Sequence, residues 1–234
     1  MINSSLEDFQ NLDYENSNEF IIQMSNKGLE ENDFIQIKEA ILKFKKLESL
    51  EMNLSCNIID FDASYLLSQA FTEGGLNLRN IYLNLKGIYF KTEDFKDLTL
   101  GMSKCNLLTS LNFEFPILEN QTAGIDNFSK MVQKLNKLEN LSLNLTYYLV
   151  ERIALRYISE AISKCQHLKS LSLDFDNSLL VNCELLNIVL DLKQLQHIST
   201  LSFQFSGHQQ QENFLKAKQI CYKFKKLTKL YLCQ

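Results

Sequence analysis

The sequence predicts an α/β solenoid of parallel strands alternating with helices, and three observations carry that expectation. A phrase of alternating apolar residues recurs along the chain at a spacing of 29 to 31 residues. Between the phrases, apolar residues recur at helical intervals. The composition suits a repeat of this kind, with 41 leucines, one proline and seven glycines among 234 residues.

The phrase first reads Leu47-Glu-Ser-Leu50-Glu-Met52-Asn-Leu54. It returns from Leu78, Leu108, Leu138, Leu168, Ile198 and Leu227, for example as Leu138-Glu-Asn-Leu141-Ser-Leu143-Asn-Leu145. One step upstream, Phe20, Ile22 and Met24 occupy the same apolar slots, which makes about eight strands. The two-residue period is that of a strand with one buried face. Between phrases the period lengthens, as in Phe34, Ile37, Ile41 and Phe44, then Phe128, Met131, Val132 and Leu135, then Ile158, Ala161, Ile162 and Cys165. Steps of three and four residues mark an amphipathic helix, and about seven such helices are expected.

One unit of about 30 residues cannot bury its strand face and its helix stripe alone, so neighbouring units must stack into a continuous core. Successive strands then run parallel. Parallel sheets covered on both faces are apolar throughout, whereas these strands alternate, so one face is expected to meet solvent. The whole chain, 1–234, is expected to form one solenoid domain. Residues 1–17, with Leu6, Phe9, Leu12 and Tyr14, are expected to cap its first repeat.

These residues resemble the leucine-rich repeat family, whose strand segment reads LxxLxLxxN, over roughly residues 18–234. The helical outer face and the period resemble its ribonuclease-inhibitor-like subclass. The Asn-, Lys- and Leu-rich style, with the run His208 to Asn213, resembles ciliate repeat proteins. The resemblance implies a horseshoe with a concave parallel sheet, convex helices and a role in protein binding. One departure stands out. The family's ninth-position asparagine is replaced by Ser55, Lys86, Pro116, Thr146, Asp176 and Ser206, while the eighth position is apolar from Leu54 to Phe205. Longer strands and no regular asparagine ladder are expected from this.

The polar face of the strands offers eighteen positions from Ser49 to Gln204, with three acids, one aromatic and no base. Phosphate contacts require Lys or Arg, so nucleic acid is disfavoured there. Two readings stay open: a polar cradle for another protein, or small polar residues that simply solvate an exposed sheet. For the first, the contact residues are Glu51, Tyr82, Asn84, Asn112, Glu114, Asn144 and Asp174, with Tyr82 as the aromatic anchor. At the last strand, Leu230, Tyr231 and Leu232 form an edge that a partner chain, a second copy or a continuation of this chain is expected to cover.

Chemistry finds little support. Cys105, Cys165 and Cys221 fall in apolar helix slots and read as core residues. His167 and His197 sit one repeat apart, but no third ligand converges on them, so no metal and no cofactor is expected. Gly74-Gly75 reads as a glycine cap at a helix C-terminus. No paired-carboxylate, Ser-His-Asp or phosphate-loop pattern occurs, and the chain is read as not an enzyme. Lysines gather late in the first and last helices, at Lys43, Lys45 and Lys46 and at Lys223, Lys225 and Lys226. The helix dipole favours cations there; a basic rim for an acidic partner or RNA is the other reading. With no basic, apolar leader at Met1–Phe9 and no apolar run of about 20 residues, a cytoplasmic protein is expected. The expected function is a non-enzymatic protein–protein interaction module, which includes the role of a structural subunit in a larger assembly. The alternatives are a regulatory or substrate-recognition subunit of an enzyme, and RNA binding through the rim.

Overall fold

The computed structural model describes residues 2–3, 5–59, 61–146, 152–175, 183–193, 195, 197–204 and 211–233. The ninth-position Asp176 and Ser206, the apolar Phe205 and the His208-Gln209-Gln210 run lie outside them. The chain divides into two compact units, 1–120 and 121–234.

In the first unit a short strand β1 (Ile2–Asn3) precedes β2 (Glu19–Gln23), α1 (Glu31–Lys43), β3 (Ser49–Asn53), α2 (Phe61–Gln69), β4 (Asn80–Asn84), β5 (Tyr89–Phe90), α3 (Thr92–Met102), β6 (Ser110–Glu114) and β7 (Ile117–Leu118). Strands β1, β2, β3, β4 and β6 pair in that order, all parallel. The repeat phrases align without slippage: Leu50, Ile81 and Leu111 are successive partners, as are Met52, Leu83 and Phe113. A slip of one residue would turn every apolar side chain to solvent. β5 and β7 form a separate parallel pair.

The second unit repeats the scheme with α4 (Gln121–Val132), β8 (Asn140–Asn144), α5 (Arg152–Ser163), β9 (Ser170–Asp174), α6 (Cys183–Leu192), β10 (Thr200–Gln204), α7 (Gln211–Cys221) and β11 (Lys229–Cys233). Strands β8 to β11 pair in parallel in chain order. All eight expected phrases are therefore strands, and all seven expected helices form. β1 had no periodic signal, being only two residues long.

The core lies between each sheet and its helices. In the first unit the Phe95 ring of α3 meets Phe113 of β6 edge-on at 6.3 Å. In the second, Phe128, Val132, Ile158 and Ile162 surround Leu141 and Leu143. Every one of these six is buried to 2% exposure or less. Burying such a side chain contributes about 1.5–3 kcal/mol, which is why the leucine rows dictate the register. The N-terminal segment packs against the first repeat. A 3-10 turn (Leu6–Asn11) places Phe9 edge-on to Phe20 at 5.2 Å, Tyr14 stacks edge-on against Phe44 at 4.9 Å, and the Tyr14 hydroxyl donates to the Phe9 carbonyl at 2.8 Å.

Two expectations are corrected. The repeat strands are five residues long, not extended. Asn53, Asn84 and Asn144 end three of them, β3, β4 and β8, because each side-chain carbonyl accepts the backbone N–H two residues on, at 3.2, 2.9 and 3.0 Å. This side-chain bond turns the chain as a backbone turn would, while the next residues, Leu54, Leu85 and Leu145, still point into the core. Gly74 and Gly75 form no left-handed cap, their φ values being -94° and -81°. They are glycines for space: a Cβ on Gly74 would lie 2.7 Å from Ile41 Cγ2, and one on Gly75 2.7 Å from Cys105 Sγ.

Candidate functional site: the solvent-side sheet face and its rims

The face opposite the helices is built from the alternate residues of each strand. In the first unit Glu51, Tyr82 and Asn112 are register partners on β3, β4 and β6, and Asn53, Asn84 and Glu114 form the parallel row two residues on. The rows are cross-linked. The Tyr82 hydroxyl donates to Glu114 Oε1 at 2.7 Å, and Gln23 Nε2 donates to Glu51 Oε1 at 2.8 Å. Partial burial, then the hydrogen bond to Glu114 and that carboxylate's charge, push the Tyr82 hydroxyl up to about 12. Glu51 adds a smaller push in the same direction, and a hydrogen bond from Asn84 opposes it. The phenol is held neutral and oriented, with its ring half-exposed. Asn112 is exposed beside it, and Asn84 is committed to ending its strand. Gln23 was not among the expected contact residues; the signal for it was its place in the upstream phrase.

In the second unit the corresponding face is small and polar. Ser142, Ser172 and Ser202 are successive register partners, flanked by Asn144 and Asp174. Asn144 is occupied by its turn, and Asp174 is half-buried. On the last strand, Leu230 and Leu232 are half-buried and Tyr231 is 51% exposed. Their register partners Leu201 and Phe203 are fully buried.

Both rims where the strands begin are ladders. The Glu48 carbonyl accepts the N–H groups of Arg79 and Asn80, and the Lys169 carbonyl those of Ser199 and Thr200, at 2.8–3.0 Å. In the first unit Lys45, Lys46 and Arg79 line one groove of about 580 Å³ with Glu48, which pairs with Arg79 at 3.5 Å. Lys43 lies apart, over the Tyr14 ring. In the second unit His167 and His197 are exposed, and His197 Nδ1 lies 3.1 Å from Lys226 Nζ. A groove of about 560 Å³ runs between α5 and α6, where the buried Ser159 hydroxyl donates to Asp191 at 2.7 Å.

Cys105, Cys165 and Cys221 are buried, and burial pushes their thiols up to about 12, 12 and 11. A thiol so far from ionising at neutral pH is a poor nucleophile. Asn57 escaped sequence reasoning. It is buried, accepts the Lys27 N–H at 2.9 Å, and donates to the Met24 and Leu54 carbonyls at 2.7 and 2.8 Å, so one side chain ties two repeats. It lies two residues beyond the ninth position, where no repeated signal marks it. Among the described residues no helix is long and apolar enough to cross a membrane.

No protein-family model matches the chain, and no curated protein matches it. Among solved structures it is similar to the tropomodulin C-terminal domain of Caenorhabditis elegans. The identity is 14% and the TM-score 0.48, over 68% of this chain and 90% of that one.

Proposed function

We propose that the chain is a leucine-rich-repeat solenoid of the horseshoe kind, a non-enzymatic cytoplasmic module that binds another protein on the solvent-side face of its sheet. The observation that carries this reading is the Tyr82–Glu114 pair: a half-exposed aromatic ring held in one orientation by a 2.7 Å hydrogen bond, on strands whose other face is a fully buried core. A preoriented aromatic on a rigid element loses little freedom on binding, and such residues dominate interface energetics. Glu51, Tyr82, Asn112 and Glu114 form the contact patch of the first unit. Asn84 and Asn144 support the strand ends beside the face, and Asp174 adds a charge in the second unit. Leu230, Tyr231 and Leu232 on β11 form a separate apolar strip suited to a further strand, whether of a partner, a second copy or this chain's own continuation.

The test is quantitative affinity purification from the source cells with the native chain and with the Tyr82→Ala and Glu114→Gln variants. A discrete protein retained by the native chain and lost from both variants is expected. An identical set of retained proteins for all three would overturn the reading.

A further inference from the structure

The two halves of the chain differ in charge. Residues 1–120 hold 10 Lys/Arg against 19 Asp/Glu, and residues 121–234 hold 14 against 9. In the second unit much of the positive charge lies on one rim, where the strands begin. Lys137, His167, His197 and Lys226 each precede the first apolar residue of their repeat. The register of β8 to β11 places them side by side, and all four are exposed. Lys134, Lys164 and Lys223 form a second exposed row three residues upstream. The helix dipole accounts for the second row, which follows the ends of α4, α5 and α7, but not for the first. Among the described residues, no carboxylate lies within ion-pair distance of Lys134, Lys137, Lys164, Lys223 or Lys226. Lys169 is ion-paired with Glu139 at 2.7 Å, while Lys164 donates to the Gln133 side-chain carbonyl at 2.8 Å and Lys226 lies 3.1 Å from His197 Nδ1.

We infer that this rim docks an acidic helical segment of a partner protein. Charge complementarity selects an anionic partner, and spacing selects its form. The rim presents exposed lysines beside three of its four strands, Lys137 at β8, Lys164 at β9 and Lys226 at β11, with neighbouring strands about 4.8 Å apart. An α-helix presents one side chain per turn on a given face, about 5.4 Å apart, whereas an extended chain places same-face residues about 6.6 Å apart. Acidic residues about one turn apart on one face of a helix therefore keep step with the strands that carry these lysines. Nucleic acid suits the rim less well. Its cations are lysines with no arginine fork for phosphate, Glu139 sits among them, and one exposed tyrosine at its end, Tyr222, makes no stacking platform. This inference stands apart from the sheet-face reading, since it uses neither Tyr82 nor Glu114.

The experiment is fluorescence anisotropy on the full chain with three labelled probes. The first is an alanine-based helical peptide of about 20 residues with glutamate on one face, the second the same composition broken by proline, and the third a single-stranded RNA of about 12 nucleotides. The helical peptide is expected to bind, and to weaken about tenfold between roughly 50 and 200 mM salt as screening grows. The triple variant Lys137→Glu/Lys164→Glu/Lys226→Glu is expected to lose binding, and the corresponding Lys→Gln variant to weaken it. Lys104→Glu, an exposed change in the first unit, is expected to leave it intact. Circular dichroism confirms that each variant is folded. Undiminished binding by the charge-reversed triple variant, equal binding of the proline-broken peptide, or tighter binding of the RNA would each overturn the inference. Loss of the sheet-face partner in Tyr82→Ala would leave it untouched.

Discussion

Gly101 offers the sharpest test of how closely neighbouring repeats pack. It lies in α3, where helix propensity alone says that alanine should stabilise by about 1 kcal/mol. The structure reverses the sign. A Cβ at this position would lie 2.4 Å from the Ser68 carbonyl oxygen and 2.8 Å from Ser68 Cα, where ordinary C···O contacts begin near 3.3 Å. The obstruction is backbone of α2, so no rotamer relieves it, and the two helices must separate by close to 1 Å. Overpacking of that kind costs about 2 kcal/mol. The same separation strains the hydrogen bond from Ser68 Oγ to the Asp97 carbonyl, 2.7 Å long, at a cost of about 1 kcal/mol. Set against the propensity gain, Gly101→Ala should lose about 2 kcal/mol, roughly thirtyfold in the folding equilibrium. Urea unfolding followed by far-ultraviolet circular dichroism measures this, with the slope expected to stay constant. Unchanged or increased stability would refute the close approach of α2 and α3.

Three further outcomes follow from other parts of the molecule. Cys56 has a φ of 58°, in the left-handed region, three residues past its strand, as does Asn26 at 53°; Gly87, at 76°, holds the equivalent place one repeat later. Cys56→Gly should therefore raise the stability by up to about 1 kcal/mol in the same unfolding assay. The Tyr82 hydroxyl titrates near 12 in the fold and near 10 when unfolded, so the folded chain holds the proton more tightly. The stability this contributes is complete below pH 10 and is lost as pH rises through 12. Tyrosinate absorbance should show the late titration, and Glu114→Gln should bring it lower. In a Cys183→Ser/Cys233→Ser background, a thiol reagent should label Cys56 at once, while Cys105, Cys165 and Cys221 react only after unfolding.

The repeat strands were legible because one physical rule acts eight times. Each apolar pair such as Leu141 and Leu143 must face the helices, and the register then has no freedom. The helices followed from the same rule with a longer period. Features that occur once left no such trace. Asn57 bonds across two repeats from a loop position where the sequence places no other asparagine, and β1 is two residues long. At β3, β4 and β8 the pattern predicts too long a strand because Leu54, Leu85 and Leu145 are apolar. Their burial continues past the point where Asn53, Asn84 and Asn144 have already turned the chain. The glycine pair at 74–75 was read by its conformational freedom, although the neighbours Ile41 and Cys105 make it a matter of room.

The candidate face was legible as a list of residues but not as a set of contacts. Alternation placed Glu51, Tyr82 and Glu114 on one side, while their bonding depends on which strands adjoin and on the diagonal reach of a tyrosine. The rim was half legible: the repeat period alone puts Lys137, His167, His197 and Lys226 in one slot at the strand entrance, but their exposure and the Lys169–Glu139 ion pair beside them depend on the folded loops.

A photoreactive phenylalanine analogue placed at position 82, in cells that make the native partner, tests the central claim most directly. The sheet-face account predicts cross-linking to a discrete protein from position 82 and none from the exposed helix position 100. Cross-linking from position 100 alone, or from neither position, would contradict it.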